Sequence, residues 1–174
     1  MNNIVNSINY PSCCEVISEN EFYIKDVKNG KCEKTSILDY HLKISNFNNK
    51  TIVFLKIDKC VYDDGDSKKC DCVLADESII YFVEIKEIEK FDDHFKKKNA
   101  RSEAKKQLIN TINLFKEKYS ILDMKNVNAV IALQPKLEDN YINIITLKKQ
   151  NVIDSFMESC GTPFIYEGNH IKFK

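Results

Sequence analysis

Three apolar runs follow one another between residues 50 and 88, and an amphipathic stretch comes directly after them. The runs are KTIVFLKIDKCVY, CDCVLAD and ESIIYFVEIKE. The first is rich in β-branched and aromatic residues, which suit a pleated surface. The polar stretch DDGDSKK separates the first two, and Asp76-Glu77 joins the last two so tightly that they are expected to pair antiparallel. Over 99–119, Ala104, Leu108, Thr111, Ile112, Phe115 and Tyr119 recur at helical spacing and predict a helix with one apolar stripe. VNAVIALQP, closed by Pro135, then reads as another strand, and the helix before it as a crossover against the sheet. This order predicts an α/β fold with one principal mixed β-sheet flanked by helices.

The chain has 174 residues with only 3 Pro and 4 Gly, and no segment reads as a linker. One domain over 1–174 is expected, with a core of about 50–135 and a C-terminal extension of 136–174. Outside the core, NNIVNSI predicts a short helix before Pro11. EFYIKDVKNGKCEKTSIL predicts a hairpin turning at Asn29-Gly30. YINIITL is a strand candidate, NVIDSFMESCG a short helix ending at Gly161, and PFIYEGNHIKFK a hairpin turning near Gly168-Asn169.

Lys plus Arg and Asp plus Glu number 26 each, so any electrostatic partner must be met by a local patch. No apolar run approaches the roughly 18 residues of a membrane span, and the N-terminus does not resemble a signal peptide. The seven cysteines are odd in number, irregularly spaced and without zinc-ligand spacing. They read as small buried apolar residues in a reducing cytoplasm. His41, His94 and His170 have no metal-ligand spacing.

The segment YFVEIKE poses the chemical question. Glu84 and Lys86 are two apart, so on a strand they share a face, yet Phe82, Val83 and Ile85 belong in an interior. A charge taken out of water costs several kcal/mol unless compensated, either by an ion pair or by acids converging on a divalent cation. Asp71 opens the preceding strand, and a turn at 76–78 brings it close to Glu84. Two carboxylates and a backbone carbonyl, such as that of Ile85, suit Mg²⁺ or Mn²⁺, hard cations that keep several waters. Such a cation polarises a phosphoryl oxygen and acidifies a bound water. Lys86 is placed to orient that water or to neutralise developing charge.

Asp71, then Glu84-Ile85-Lys86 on the next strand, with a helix and a further strand behind, resembles the PD-(D/E)XK nuclease superfamily over residues 50–135. The resemblance implies a restriction-endonuclease-like core and Mg²⁺-dependent cleavage of nucleic acid, DNA favoured over RNA. It makes Asp71 and Glu84 metal ligands and Lys86 the catalytic lysine. Some branches turn a Gln from the following helix to the site; Gln107 matches, and its alternative is to cap a strand carbonyl. Cys70 stands where the pattern has proline. Many members also carry a Glu on an N-terminal helix; Glu15, Glu19 and Glu33 are the options here. Asp58 is either an extra acid near the site or a strand-end residue bonding a turn.

HFKKKNARSEAKK places Lys97, Lys98, Arg101 and Lys105 between the acidic strand and the helix. They are expected either to contact phosphates or to form a solvated face. The functional expectation is a cytoplasmic metal-dependent nuclease, of the kind found in microbial defence, restriction or repair. It acts alone, as a homodimer or with a partner protein. The alternatives are a catalytically inactive nuclease-fold protein acting as a binding or regulatory subunit, and a structural domain whose Glu84 and Lys86 form a surface ion pair.

Overall fold

The strand carrying Glu84 and Lys86 lies inside a six-stranded mixed sheet. In the computed structural model, residues 11–28, 31–62, 68–87, 94–119, 126–134, 150–162 and 165–174 are described. The strands are β1 (Cys14–Ile17), β2 (Glu21–Lys25), β3 (Glu33–Thr35), β4 (Leu42–Asn46), β5 (Ile52–Lys56), β6 (Cys72–Ala75) and β7 (Ile80–Glu87). Helix α1 (His94–Tyr119), β8 (Val127–Gln134), α2 (Gln150–Cys160), β9 (Ile165–Glu167) and β10 (His170–Phe173) follow. The first sheet has the order β1-β5-β6-β7-β8-β9, antiparallel as far as β7 and parallel from there. The expected helix at NNIVNSI, the Asn29-Gly30 turn, most of DDGDSKK and the strand YINIITL fall outside the described residues.

The expected antiparallel pairing of β6 and β7 is present. Its register sets Cys72 opposite Val83, so one further step brings Asp71 level with Glu84. The crossover is present too: α1 separates β7 and β8, which pair in parallel from Ile80↔Val127 to Glu87↔Gln134. The helix begins at His94 rather than 99, so the basic run is helical.

One principal sheet is not what forms. A second sheet, β10-β4-β2-β3, covers the face of the first sheet opposite the helices. On the helix side, Ala104, Leu108, Ile112 and Phe115 of α1 and Phe156 of α2 pack on Leu55, Val73, Phe82 and Ile131. On the other side, Phe22, Ile24, Ile44 and Ile171 pack on Phe54, Leu74, Val83 and Val130. Every residue of β5 is buried for this reason, and its sequence IVFLK does not alternate. The chain is thus one α/β domain of three layers, with its described helices on one face only. Among the described residues, no helix is long and apolar enough to cross a membrane.

The C-terminal segment is not a hairpin. Ile165–Glu167 pairs in parallel with β8 in the first sheet, and His170–Phe173 pairs in parallel with β4 in the second. At the bend, the Gly168 amide donates to the Ile131 carbonyl (3.0 Å), and the Lys43 amide donates to that of Asn169 (2.8 Å). Each strand finds a full partner on a different sheet, so the segment ties the two sheets together. The β2–β3 hairpin is as expected, with Tyr23↔Thr35 and Lys25↔Glu33 in register.

The cysteines are not all free. Cys13 and Cys60 form a disulfide across 47 residues of sequence, fastening the start of β1 to the turn after β5. Cys32, Cys70, Cys72 and Cys160 are buried thiols, in line with their reading as small apolar residues. Helix α2 stops at Gly161 as expected; its φ of 68° is the left-handed conformation that favours glycine at a helix end.

Candidate active site

On β7, the face toward α1 carries Ile80, Phe82, Glu84 and Lys86 in turn. The first two belong to the core, and Phe82 meets Phe115 edge to face at 5.2 Å. Since α1 runs back along β7, its Phe115 level covers the apolar half and its Gln107 level covers the charged half.

The helix fixes the charged half. Lys86 Nζ lies 2.6 Å from Glu84 Oε1 and donates to Gln107 Oε1, also at 2.6 Å. Gln107 Nε2 donates to the Lys69 carbonyl at 2.9 Å. Gln107 thus contacts Lys86 and also caps the backbone leading into β6. Thr111 Oγ1 accepts the Cys70 amide (2.8 Å) and donates to the Gln107 carbonyl (2.9 Å). The residue just before Asp71 is thus tied to α1 by its backbone.

Asp71 is held from both sides. Its amide donates to the Val83 carbonyl (3.0 Å), and its own carbonyl accepts the Ile57 amide (2.9 Å). Its Oδ2 accepts the Ile85 amide at 2.5 Å. Asp71, Glu84, Lys86 and Gln107 therefore come together at the carboxyl end of β7, as the register implied. In open α/β sheets, ligands bind beyond the carboxyl ends of strands.

Burial pushes the Glu84 carboxyl up to about 8; the Lys86 ammonium offsets part of this, and the charges of Asp26 and Asp58 add to it. Burial, then Glu84, then Asp26, hold Asp71 well above the usual carboxylate range, against the pull of the Ile85 amide. Burial alone lowers the Lys86 ammonium, yet the Glu84 carboxylate beside it and then Asp71 outweigh that and raise it.

Glu84 is 1% exposed, and its Oε2 has no hydrogen-bond partner among the described residues. A buried carboxylate oxygen left unpartnered costs on the order of 1–3 kcal/mol, more when charged. A proton or a hard cation relieves that cost, and the oxygen-only donor set fits Mg²⁺ or Mn²⁺. Among the described residues, no three His, Cys, Asp or Glu side chains already converge as a ligand cage. Two carboxylates with waters match the sparse protein ligation that Mg²⁺ accepts.

The remaining expectations divide. Arg101 makes a two-pronged bond to buried Glu167 of β9, both contacts 2.6 Å, and so fastens α1 to the sheet edge. Its guanidinium is committed to that bond rather than held out for phosphate. Lys105, beside it, is half-buried, and burial followed by Arg101 lowers its ammonium. Lys97 is half-buried and Lys98 exposed. Glu15 pairs with Lys56 on the face toward the second sheet, Glu19 with Lys34, and Glu33 with Lys25. None of these three acids is among the leading groups acting on Glu84.

Arg101→Ala strands a carboxylate that is 6% exposed. Breaking a fully buried pair costs about 3–5 kcal/mol. Arg101 itself is 35% exposed, so about 2 kcal/mol is expected in urea unfolding. Arg101→Lys should recover only part of it, because an ammonium cannot form the planar fork. A neutral result in Arg101→Ala contradicts the tethering role.

Asp26 was not singled out from the sequence. It follows alternating EFYIK and has the pattern of a solvated strand end; only the packing of the second sheet brings it into electrostatic reach of Glu84. Comparisons with protein-family models, with curated proteins and with solved structures find no match.

Proposed function

We propose that this protein is a metal-dependent nuclease of the PD-(D/E)XK type, hydrolysing phosphodiester bonds in nucleic acid. The observation that carries the reading is the unpartnered, buried Oε2 of Glu84, beside Asp71 and beside a lysine pinned between Glu84 and Gln107. In this reading Asp71 and Glu84 hold Mg²⁺ or Mn²⁺. The bound cation supplies Lewis-acid polarisation of a phosphoryl oxygen and acidifies water.

The side chains do the rest. Gln107 fixes the rotamer of Lys86, so that its ammonium stays at the edge of the carboxylates, where negative charge develops on the phosphate. Lys86 keeps 21% of its side chain exposed, enough to meet a substrate. In this reading Lys98, with Lys97 and Lys105 behind it on the helix that follows β7, attracts the phosphate backbone.

The test is incubation of labelled single- and double-stranded DNA and RNA with Mg²⁺, Mn²⁺ or chelator, beside Asp71→Asn. Cleavage that needs the cation and disappears in the variant supports the reading. Cation-independent or Asp71-independent cleavage opposes it. The lack of a ready three-ligand cage among the described residues favours a second reading, a nuclease-fold binding protein without turnover. It predicts nucleic-acid retention in gel shifts and no cleavage with any cation.

A further inference from the structure

We propose that the Cys13–Cys60 disulfide is a redox switch on the cation site. Closed, it holds the turn that positions Asp71; opened by a dithiol reductant, it loosens that turn and weakens the site. This rests on the cation-binding part of the reading above and adds its regulation.

Backbone hydrogen bonds run from the disulfide to Asp71. Cys60, Val61 and Tyr62 all direct their amides at the Ile57 carbonyl, at 3.4, 3.1 and 3.1 Å. Asp58 also bridges to Tyr62 across the turn. The amides of Ile57 and Asp58 in turn donate to the Asp71 carbonyl, at 2.9 and 3.4 Å. The β5–β6 ladder ends at Lys56↔Cys72, so these two bonds carry the pairing one step further, to Asp71. Lys59 has a φ of 55°, which a non-glycine residue keeps only where its surroundings hold it. The disulfide is such a restraint: it fixes the next residue, Cys60, to Cys13 just before β1.

The bond is open to exchange from one side. Cys13 is 3% exposed, whereas Cys60 is half-buried, and Lys31 Nζ lies 3.7 Å from its sulfur. A thiolate of the reductant attacks Cys60 Sγ, the Sγ–Sγ bond breaks, and Cys13 leaves as a thiolate that takes up a proton. The reductant's second thiolate then attacks its own sulfur in the mixed disulfide. Cys60 leaves beside the Lys31 ammonium, which stabilises the thiolate until it is protonated. Two electrons and two protons pass to the protein, and the reductant departs as a disulfide. Ile57 and Val61 are core residues in their own right, so the opened form keeps its fold and loses only the restraint on the turn.

Linkage gives this switch a reciprocal signature. If closing the disulfide tightens cation binding by some factor, cation binding favours the closed disulfide by the same factor. Groups that orient a metal ligand typically contribute 10–100-fold in affinity. An effect passed through the backbone of one ligand belongs at the lower end, about 10-fold. For a two-electron couple that is about 30 mV. A disulfide that merely staples the chain shows no such response.

The test uses Mg²⁺, a hard cation that prefers oxygen to thiols, with wild type, Cys13→Ala/Cys60→Ala and Asp71→Asn. Calorimetric titration should show oxidised wild type binding about 10-fold more tightly than reduced wild type. The double variant should match the reduced protein and ignore reductant. In dithiothreitol buffers of graded poise, saturating Mg²⁺ should move the Cys13–Cys60 potential about 30 mV more negative in wild type, and leave it in place in Asp71→Asn. Equal affinity in the two redox states, or a potential indifferent to Mg²⁺, overturns this inference and leaves the nuclease reading standing. A reduced protein without a cooperative thermal transition also overturns it, because the bond is then a structural staple. No Mg²⁺ binding in either redox state overturns both readings.

Discussion

Under the proposed nuclease reading, Lys86→Ala should cut phosphodiester cleavage about 10²–10³-fold while leaving Mn²⁺ binding intact, the loss typical of one preorganised charge at a reacting oxyanion. The ammonium is held 2.6 Å from Glu84 Oε1 and 2.6 Å from Gln107 Oε1, so its position is fixed before substrate arrives. Removing it deletes the charge without touching the Asp71 carboxylate, which is anchored separately by the Ile85 amide. A lysine that merely paired with Glu84 would behave differently: its loss would lower stability and leave turnover alone. Lys86→Arg should recover little, because a guanidinium is planar and bulkier than the ammonium that Gln107 accommodates. Single-turnover cleavage and Mn²⁺ titration on the same preparations separate the two outcomes. Cleavage that persists in Lys86→Ala assigns the activity to another site or another protein.

In chelator, the protein should lose stability as the pH rises from about 5 to about 8, and Glu84→Gln should remove most of that loss. The sign follows from the direction of the shift. Glu84 is raised in the fold from 4.5 to about 8, so between those values the folded state holds a proton that the unfolded chain has released. Stability falls with pH wherever the unfolded state binds fewer protons. A displacement of that size corresponds to at most about 5 kcal/mol at 1.4 kcal/mol per pH unit. Asp71 is raised for the same leading reason, burial, and contributes in the same direction. Glu84→Gln carries no ionisable group there; it should match wild type near pH 5 and exceed it by about 2 kcal/mol or more near pH 8. Urea unfolding at the two pH values reads this directly. A wild-type stability that is flat or rising over the window contradicts the burial of an unrelieved carboxylate.

Local pattern was enough wherever contacts are close in sequence. The β6–β7 register followed from a short turn between apolar runs, and with it the meeting of Asp71 and Glu84. Helix α1 followed from its stripe, and Gln107 from its place within that stripe. What stayed hidden depends on distant partners. The second sheet is completed when β10 reaches β4, where Ser45 Oγ and His170 Nε2 lie 2.8 Å apart across 125 residues. Nothing within KKKNARSEAKK distinguishes Arg101 from Lys98; what does is Glu167, 66 residues on. Cys13 and Cys60 likewise gave no local sign of bonding, since neither sits in a paired motif. Asp26 belongs to the same class, because its relation to Glu84 exists only once one sheet covers the other.

In the proposed reading, Asp71 and Glu84 form a seat for a hard divalent cation. Calorimetry of Mn²⁺ binding near pH 7, run in two buffers of different ionisation enthalpy, tests it most directly. Because Glu84 is raised to about 8, binding should displace its proton. Saturable binding with net proton release is expected, lost in Asp71→Asn and releasing fewer protons in Glu84→Gln if any binding remains there. Absence of binding, or binding that is indifferent to both substitutions, contradicts it.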